Sequence, residues 1–186
     1  DVLFVDDHSV DGTIDLVRRR GYEVISKREA KGLTDSWNLG YSHFVDYGYD
    51  FLITTNNDIL VPDGAVANMQ ELLRHYPFMA PSTTLPGAGH NPPQGLVDSC
   101  ELNSNLEEVI NDPANYQRIQ NMLYSVCATG PVYTTPQKLK FGGFFFGLRS
   151  PELEQLEFKP GVLFDPGNVL FGQENALMKS FEQIGL

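Results

Sequence analysis

Up to Ala80 the sequence alternates short apolar runs with amphipathic stretches, and this alternation restricts the possible folds more than any other feature. Asp1–Val5 is an apolar run that reads as a buried strand. Asp11-Gly12-Thr13 then opens a helix predicted to run to about Arg20, with Gly21 as its stop. Glu23–Lys27 is a second strand. Lys31-Gly32 leads into a helix that carries Leu33, Trp37, Tyr41, Phe44 and Val45 near the i, i+4 spacing of one buried face, and Gly48 ends it. Phe51–Thr55 reads as a third strand. Pro62-Asp63-Gly64 starts a helix with Val66, Met69, Leu72 and Leu73 on one face, and Phe78–Ala80 is a further strand. Strands and helices in strict turn, with short connections, imply an α/β fold with a mainly parallel sheet covered by helices on both faces.

From Pro81 to Pro136 the pattern lapses, and only Leu106–Ile110 and Tyr116–Leu123 look helical. An irregular stretch of this length inside a compact chain usually carries function. Regularity returns with Phe141–Arg149, an aromatic strand punctuated by glycines. Ser150 then stands as an N-cap with Pro151 in the first turn. A last helix is expected from about Glu174 to Gln183. The chain has 186 residues, which suits a single domain. It begins with aspartate inside a strand, so it reads as a piece of a longer chain.

Thirteen basic residues against 24 acidic ones give a net charge of −11. Such a surface repels phosphate backbones and anionic headgroups, which argues against nucleic-acid or membrane-surface partners. A small anionic ligand is still compatible, because one divalent cation reverses the local sign. Cys100 and Cys127 are the only cysteines and make no disulfide framework; they could pair with each other, but free buried thiols are the favoured reading. No apolar run approaches the roughly 18 residues of a membrane span, and no signal peptide is visible. The expectation is a soluble cytoplasmic domain with no membrane insertion.

Ligands of parallel sheets bind beyond the carboxyl ends of the strands. Asp6 and Asp7 fall at one such end and Asn56-Asn57-Asp58 at another. Adjacent carboxylates are costly unless their charge is used. They could accept hydrogen bonds from a nucleobase or a sugar hydroxyl, or they could cap the next helix. Asn56-Asn57-Asp58 offers one hard carboxylate oxygen beside two amides, which suits magnesium or manganese with a diphosphate completing the shell. The alternative is a simple Asx turn.

These residues also resemble a known family. Val5-Asp6-Asp7-His8-Ser9-Val10-Asp11-Gly12-Thr13 is similar to the VDDxSxDGT segment of family 2 glycosyltransferases. Lys31-Gly32 through Asn38-Leu39-Gly40 resembles that family's KGxxxxxNxG segment, and Asn56-Asn57-Asp58 the NND form of its DxD metal motif. Gly143–Arg149 followed by a serine-capped helix looks like the strand before the acceptor site. Phe164-Asp165 and Phe171-Gly172-Gln173-Glu174 sit where the family shows a phenylalanine–aspartate pair and then Glu-Asp. The five segments occur in the family's order and reach from Val2 almost to Gly185.

The resemblance implies a GT-A fold, Rossmann-like, and transfer of a sugar from a nucleotide-diphosphate donor to an acceptor hydroxyl with inversion. It implies that Asp7 contacts the nucleobase with Asp6 supporting it, that Lys31 lies near the nucleotide, and that Asn57 lines the ribose or diphosphate. Asp58 would ligate Mn2+ or Mg2+, and Glu174 would be the catalytic base, although an ordinary first-turn glutamate would also suit the helix dipole. Residues 1–60 would form the donor half and 61–186 the acceptor half, with 81–136 as its irregular insert. The family's first strand would precede Asp1. Asn56 and Gln173 stand where the family has acids, and Ala176 and Ser180 replace the charged residues usual after Glu-Asp. These departures motivate a rival reading, a nucleotide-sugar or glycan binding module without turnover. A nucleotidyltransferase would show a glycine-rich phosphate loop and a dehydrogenase a GxGxxG turn, and neither is present.

Overall fold

In a computed structural model of the chain, the described residues are 1–57, 59, 61, 63–80, 114, 117, 145–168 and 173–184. They form a mixed α/β structure that divides into two compact units. The first comprises Asp1–Leu52 and Ser150–Leu186, the second Ile53–Arg149.

In the first unit, β1 (Leu3–Asp6) and β2 (Glu23–Ser26) pair in parallel, from Leu3 opposite Glu23 to Asp6 opposite Ser26. The Lys27 N–H extends this ladder to the Asp6 carbonyl at 3.0 Å. The crossover between them is α1 (Thr13–Arg19), entered through Gly12 at φ 87°. Asp11 Oδ1 accepts hydrogen bonds from both the backbone N–H and the hydroxyl of Thr13. Asp15 in the first turn and Arg18 and Arg19 in the last suit the helix dipole. Then comes α2 (Leu33–Tyr47), which packs against β1 and ends at Gly48, whose φ of 66° is costly for any residue with a Cβ. Its buried face carries Trp37, Tyr41 and Phe44, close to the face read from the sequence. Val45 departs from it and is exposed. The C-terminal stretch completes the core. Helix α4 (Ser150–Leu156) buries Leu153 and Leu156, the segment after it buries Leu163 and Phe164, and α5 (Gln173–Ile184) buries Leu177 and Phe181.

The division between the units falls within β3 (Phe51–Thr55), a strand with the expected bounds. The second unit continues with α3 (Ala65–Leu73), β4 (Phe78–Met79) and β5 (Phe145–Arg149). The strand order is β3-β5-β4, with β4 and β5 antiparallel. Gly147 lets α3 press onto β5. A Cβ there would stand 2.8 Å from Leu73 Cδ1 and 2.9 Å from Met69 Sδ.

The single, mainly parallel sheet expected from the sequence is therefore not what the described residues form. They make one parallel pair and one three-stranded sheet with an antiparallel neighbour. The physical reason is β5, whose buried Phe145, Phe146 and Leu148 take the place between β3 and β4. Helical cover of the parallel pair is also incomplete. α1 buries none of its residues, and Phe4 remains 38% exposed beside Tyr22. The helices expected at 106–110 and 116–123, and residues 141–144 of the aromatic strand, lie outside the described residues apart from Gln117, which is helical.

Candidate functional site

The turn after β1 is organised by its two aspartates, which do different work. Asp6 is buried and its carboxylate accepts hydrogen bonds from the backbone N–H groups of His8 and Ser9 and from the Ser26 hydroxyl, at 3.1–3.3 Å. Burial pushes its pKa up, but these hydrogen bonds outweigh that and hold it below the ordinary aspartate value. The bonds also fix the turn at His8, whose φ of 73° is unusual for a residue with a side chain.

Asp7 staples a distant loop to the end of β1. Its Oδ1 accepts from the Lys31 N–H at 2.8 Å and its Oδ2 from the Gly32 N–H at 2.9 Å. The Lys27 ammonium lies 2.5 Å from Oδ1. Burial raises this carboxyl's pKa as well, yet Lys27 and the two backbone donors bring it below the ordinary value.

Lys27 is the hub of this arrangement, with its side chain only 5% exposed. Its ammonium meets Asp7, Asp35 Oδ2 at 3.1 Å and the Gly32 carbonyl at 3.2 Å. Three acceptors match its three N–H donors, so the cost of burying the charge is offset on every side. Sequence reasoning singled out Lys31 and passed over Lys27. The parallel register held the missing signal, since it puts the residue after Ser26 beside the residue after Asp6.

The second tie is made by Asn38. Its Nδ2 donates to the Phe164 carbonyl and its Oδ1 accepts from the Phe164 N–H, both at 2.9 Å. The amide thus pairs with the backbone of 164 as a neighbouring strand would. Trp37 packs on the Phe164 ring at 5.1 Å, and the Thr34 hydroxyl donates to the Asn168 carbonyl. Asp165 closes the following turn by accepting from the Gly167 N–H at 2.8 Å. Between the first turns of α2 and this segment lies a cleft of about 340 Å³, lined by Lys31, Thr34, Asp35, Asn38, Val162 and Pro166.

No protein-family model, curated protein or solved structure matches this chain. The site therefore rests on its own geometry.

The first unit brings Asp6, Asp7 and Lys31 together. The Lys31 side chain is 53% exposed and pairs with Glu29 at 3.3 Å. Glu174 stands in the first turn of α5, also in the first unit. Asn57 is exposed just past β3, in the second unit. Beside it, Asn56 has a buried Oδ1 with no hydrogen-bond partner among the described residues. Asp58, the expected metal ligand, lies outside the described residues. Among those that are described, no group of three His, Cys, Asp or Glu side chains could hold a metal ion, and no helix is long and apolar enough to cross a membrane.

Proposed function

We propose that this chain is a GT-A glycosyltransferase of the family 2 type, moving a sugar from a nucleotide-diphosphate donor to an acceptor hydroxyl. One observation carries the reading. Segments that resemble separate family motifs are bonded to each other, Asp7 to Lys31 and Gly32, and Asn38 to Phe164. Residues distant in sequence that share hydrogen bonds are better explained as one site than as chance matches.

Asp6 has a supporting role in this reading, because its oxygens are already committed to the turn at 8–9 and to Ser26. Asp7 Oδ2 accepts one hydrogen bond among the described residues and has a lone pair left for a nucleobase N–H. Glu174 takes the acceptor hydroxyl's proton as that oxygen attacks the anomeric carbon in line. Asp58 would hold Mn2+ or Mg2+, which supplies charge neutralisation of the leaving diphosphate. Asn57 would line the ribose or diphosphate and Lys31 the nucleotide.

Titration calorimetry with UDP, GDP, dTDP and ADP, each with and without manganese, tests the donor site. One diphosphate should bind in a metal-dependent way, and binding should vanish in Asp58→Ala. Glu174→Gln should keep binding and lose turnover. The neutral Asn56 favours the rival binding module, for which the diphosphate binds and Glu174→Gln changes nothing. Absence of binding by any diphosphate overturns the transferase and the nucleotide-sugar module alike.

A further inference from the structure

We propose that Lys27 is a positioning residue of the donor site, holding the Asp7 carboxylate from its buried side so that a single lone pair of Oδ2 is presented to a nucleobase N–H. This rests on the transferase reading in that Asp7 meets the base, and it adds a residue that none of the family-like segments contains.

The argument begins with the acceptor directions of Asp7. A carboxylate has about four of them, two on each oxygen. Oδ1 uses both, on the Lys31 N–H at 2.8 Å and on the Lys27 ammonium at 2.5 Å. Oδ2 uses one, on the Gly32 N–H at 2.9 Å. Lys27 is thus the group that makes the two oxygens inequivalent. Without its ammonium each oxygen would hold one backbone donor and keep one free direction, and a ligand could meet either. The Asp7 side chain is 36% exposed and open to a ligand, whereas Lys27, at 5%, acts from beneath.

Charge fixes the kind of group that Oδ2 accepts. Facing Asp7 are Lys27 just past β2, the Lys31 and Gly32 N–H groups before α2, and Asp6 on its own strand, whose oxygens are taken by the turn and by Ser26. Asp35, in the first turn of α2, shares the Lys27 ammonium at 3.1 Å, while the Lys31 ammonium pairs separately with Glu29. One ammonium between two carboxylates leaves a net negative charge on the Asp7–Lys27–Asp35 set. A phosphate is repelled there and an N–H donor is attracted, so the base end of a nucleotide belongs at Asp7 and its diphosphate away from it. Burial raises the Asp7 pKa, yet the ammonium and the two backbone N–H groups hold it below the ordinary value, so the acceptor stays charged into mild acid.

Titration calorimetry on the full chain, with manganese, reads the effect through two probes. One is the nucleoside diphosphate that binds among UDP, GDP, dTDP and ADP, and the other is inorganic pyrophosphate, which has no base. Lys27→Gln should weaken the nucleoside diphosphate about tenfold near neutral pH, as a charge-assisted hydrogen bond loses its direction, and leave pyrophosphate within about twofold. The gap from the unaltered chain should widen between about pH 7 and 5, because Asp7 without the ammonium takes up its proton at a higher pH. A folding defect alone would weaken both probes and give a gap independent of pH. Lys27→Arg, which keeps the cation, should recover most of the affinity. Lys27→Met carries the same test if Lys27→Gln does not melt cooperatively by Trp37 emission. Equal weakening of pyrophosphate, a gap constant with pH, an arginine variant no better than the glutamine one, or full affinity in Lys27→Gln overturns the proposal. An unaltered chain that binds none of the four diphosphates fails the transferase reading as well, whereas binding that ignores Lys27→Gln removes this inference alone.

Discussion

Lys27 shows how one side chain can decide whether a loop has a shape. With the ammonium in place, Asp7 is held to Lys31 and Gly32, and Asp35 is turned toward the same point. Replacing Asp7 by Asn leaves the ammonium with a single carboxylate and weakens the staple. Complete removal of one partner of a buried pair costs about 3–5 kcal/mol, but Asp7 is 36% exposed and Asp35 remains. We expect a loss of roughly 1–2 kcal/mol, read from urea denaturation followed by Trp37, the only tryptophan in the chain. Acid should act on the same residues. Asp6 and Asp7 have lower pKa values folded than unfolded, so the stability they add is complete above the ordinary aspartate value of about 3.9. It is lost as pH falls through the lower folded values. The urea midpoint should hold steady from about pH 7 to 5 and drop below about 4, and Asp6→Asn should flatten the drop. A midpoint that stays constant below about pH 4 would refute the assigned hydrogen bonds. The two aspartates were legible in the sequence because adjacent acids at a strand end are conspicuous. Lys27 was not, because a lysine that closes a strand looks like any solvated terminus until the strand beside it is known.

At the level of elements, the long helix α2 is the organiser, and Asn38 is its reach into the C-terminal segment. Asn38→Ala removes two hydrogen bonds to the backbone of Phe164, a cost of about 1–3 kcal/mol. Amide hydrogen exchange at residues 162–168 should speed up while exchange in β1 and β2 changes less. In the second unit, Gly147→Ala pushes a methyl against Leu73, which is fully buried, and against Met69. Overpacking of this kind costs about 1–3 kcal/mol, and the flexible Met69 places the expectation at the lower end, measurable by thermal melting. Element bounds were largely readable from the sequence. Phe51–Thr55 was anticipated to the residue, and Gly48 was recognised as a helix stop because only glycine sits easily at its φ. The neighbour of β4 was not readable. Pairing with Phe145–Arg149 is a contact between segments far apart in the chain, and no local propensity or periodicity encodes it.

For the molecule as a whole, the discontinuous first unit sets the terms of stability. Its buried residues include Leu153, Leu156, Leu163, Phe164, Leu177 and Phe181, all from beyond Arg149, and from that stretch Phe164 packs on Trp37 and Glu157 accepts from the Tyr41 hydroxyl. A chain ending at Arg149 should therefore leave Trp37 in water, with red-shifted emission and no cooperative melt of the first unit. Emission that stays blue-shifted would mean that residues 1–52 hold their own core. The same arrangement explains why the cleft could not be foreseen from sequence, since its two walls come from opposite ends of the chain.

That arrangement also orders events in time. On the ribosome, residues 53–149 are synthesised before the residues from Ser150 onward that share a unit with residues 1–52. Asp6, Asp7 and Lys27 emerge early but wait for Phe164 before Asn38 has anything to hold. A polypeptide terminated before Ser150 has every residue of the second unit and only one side of the cleft. Synthesis of residues 150–168 thus supplies the half of the first unit that Asn38 and Trp37 pack on.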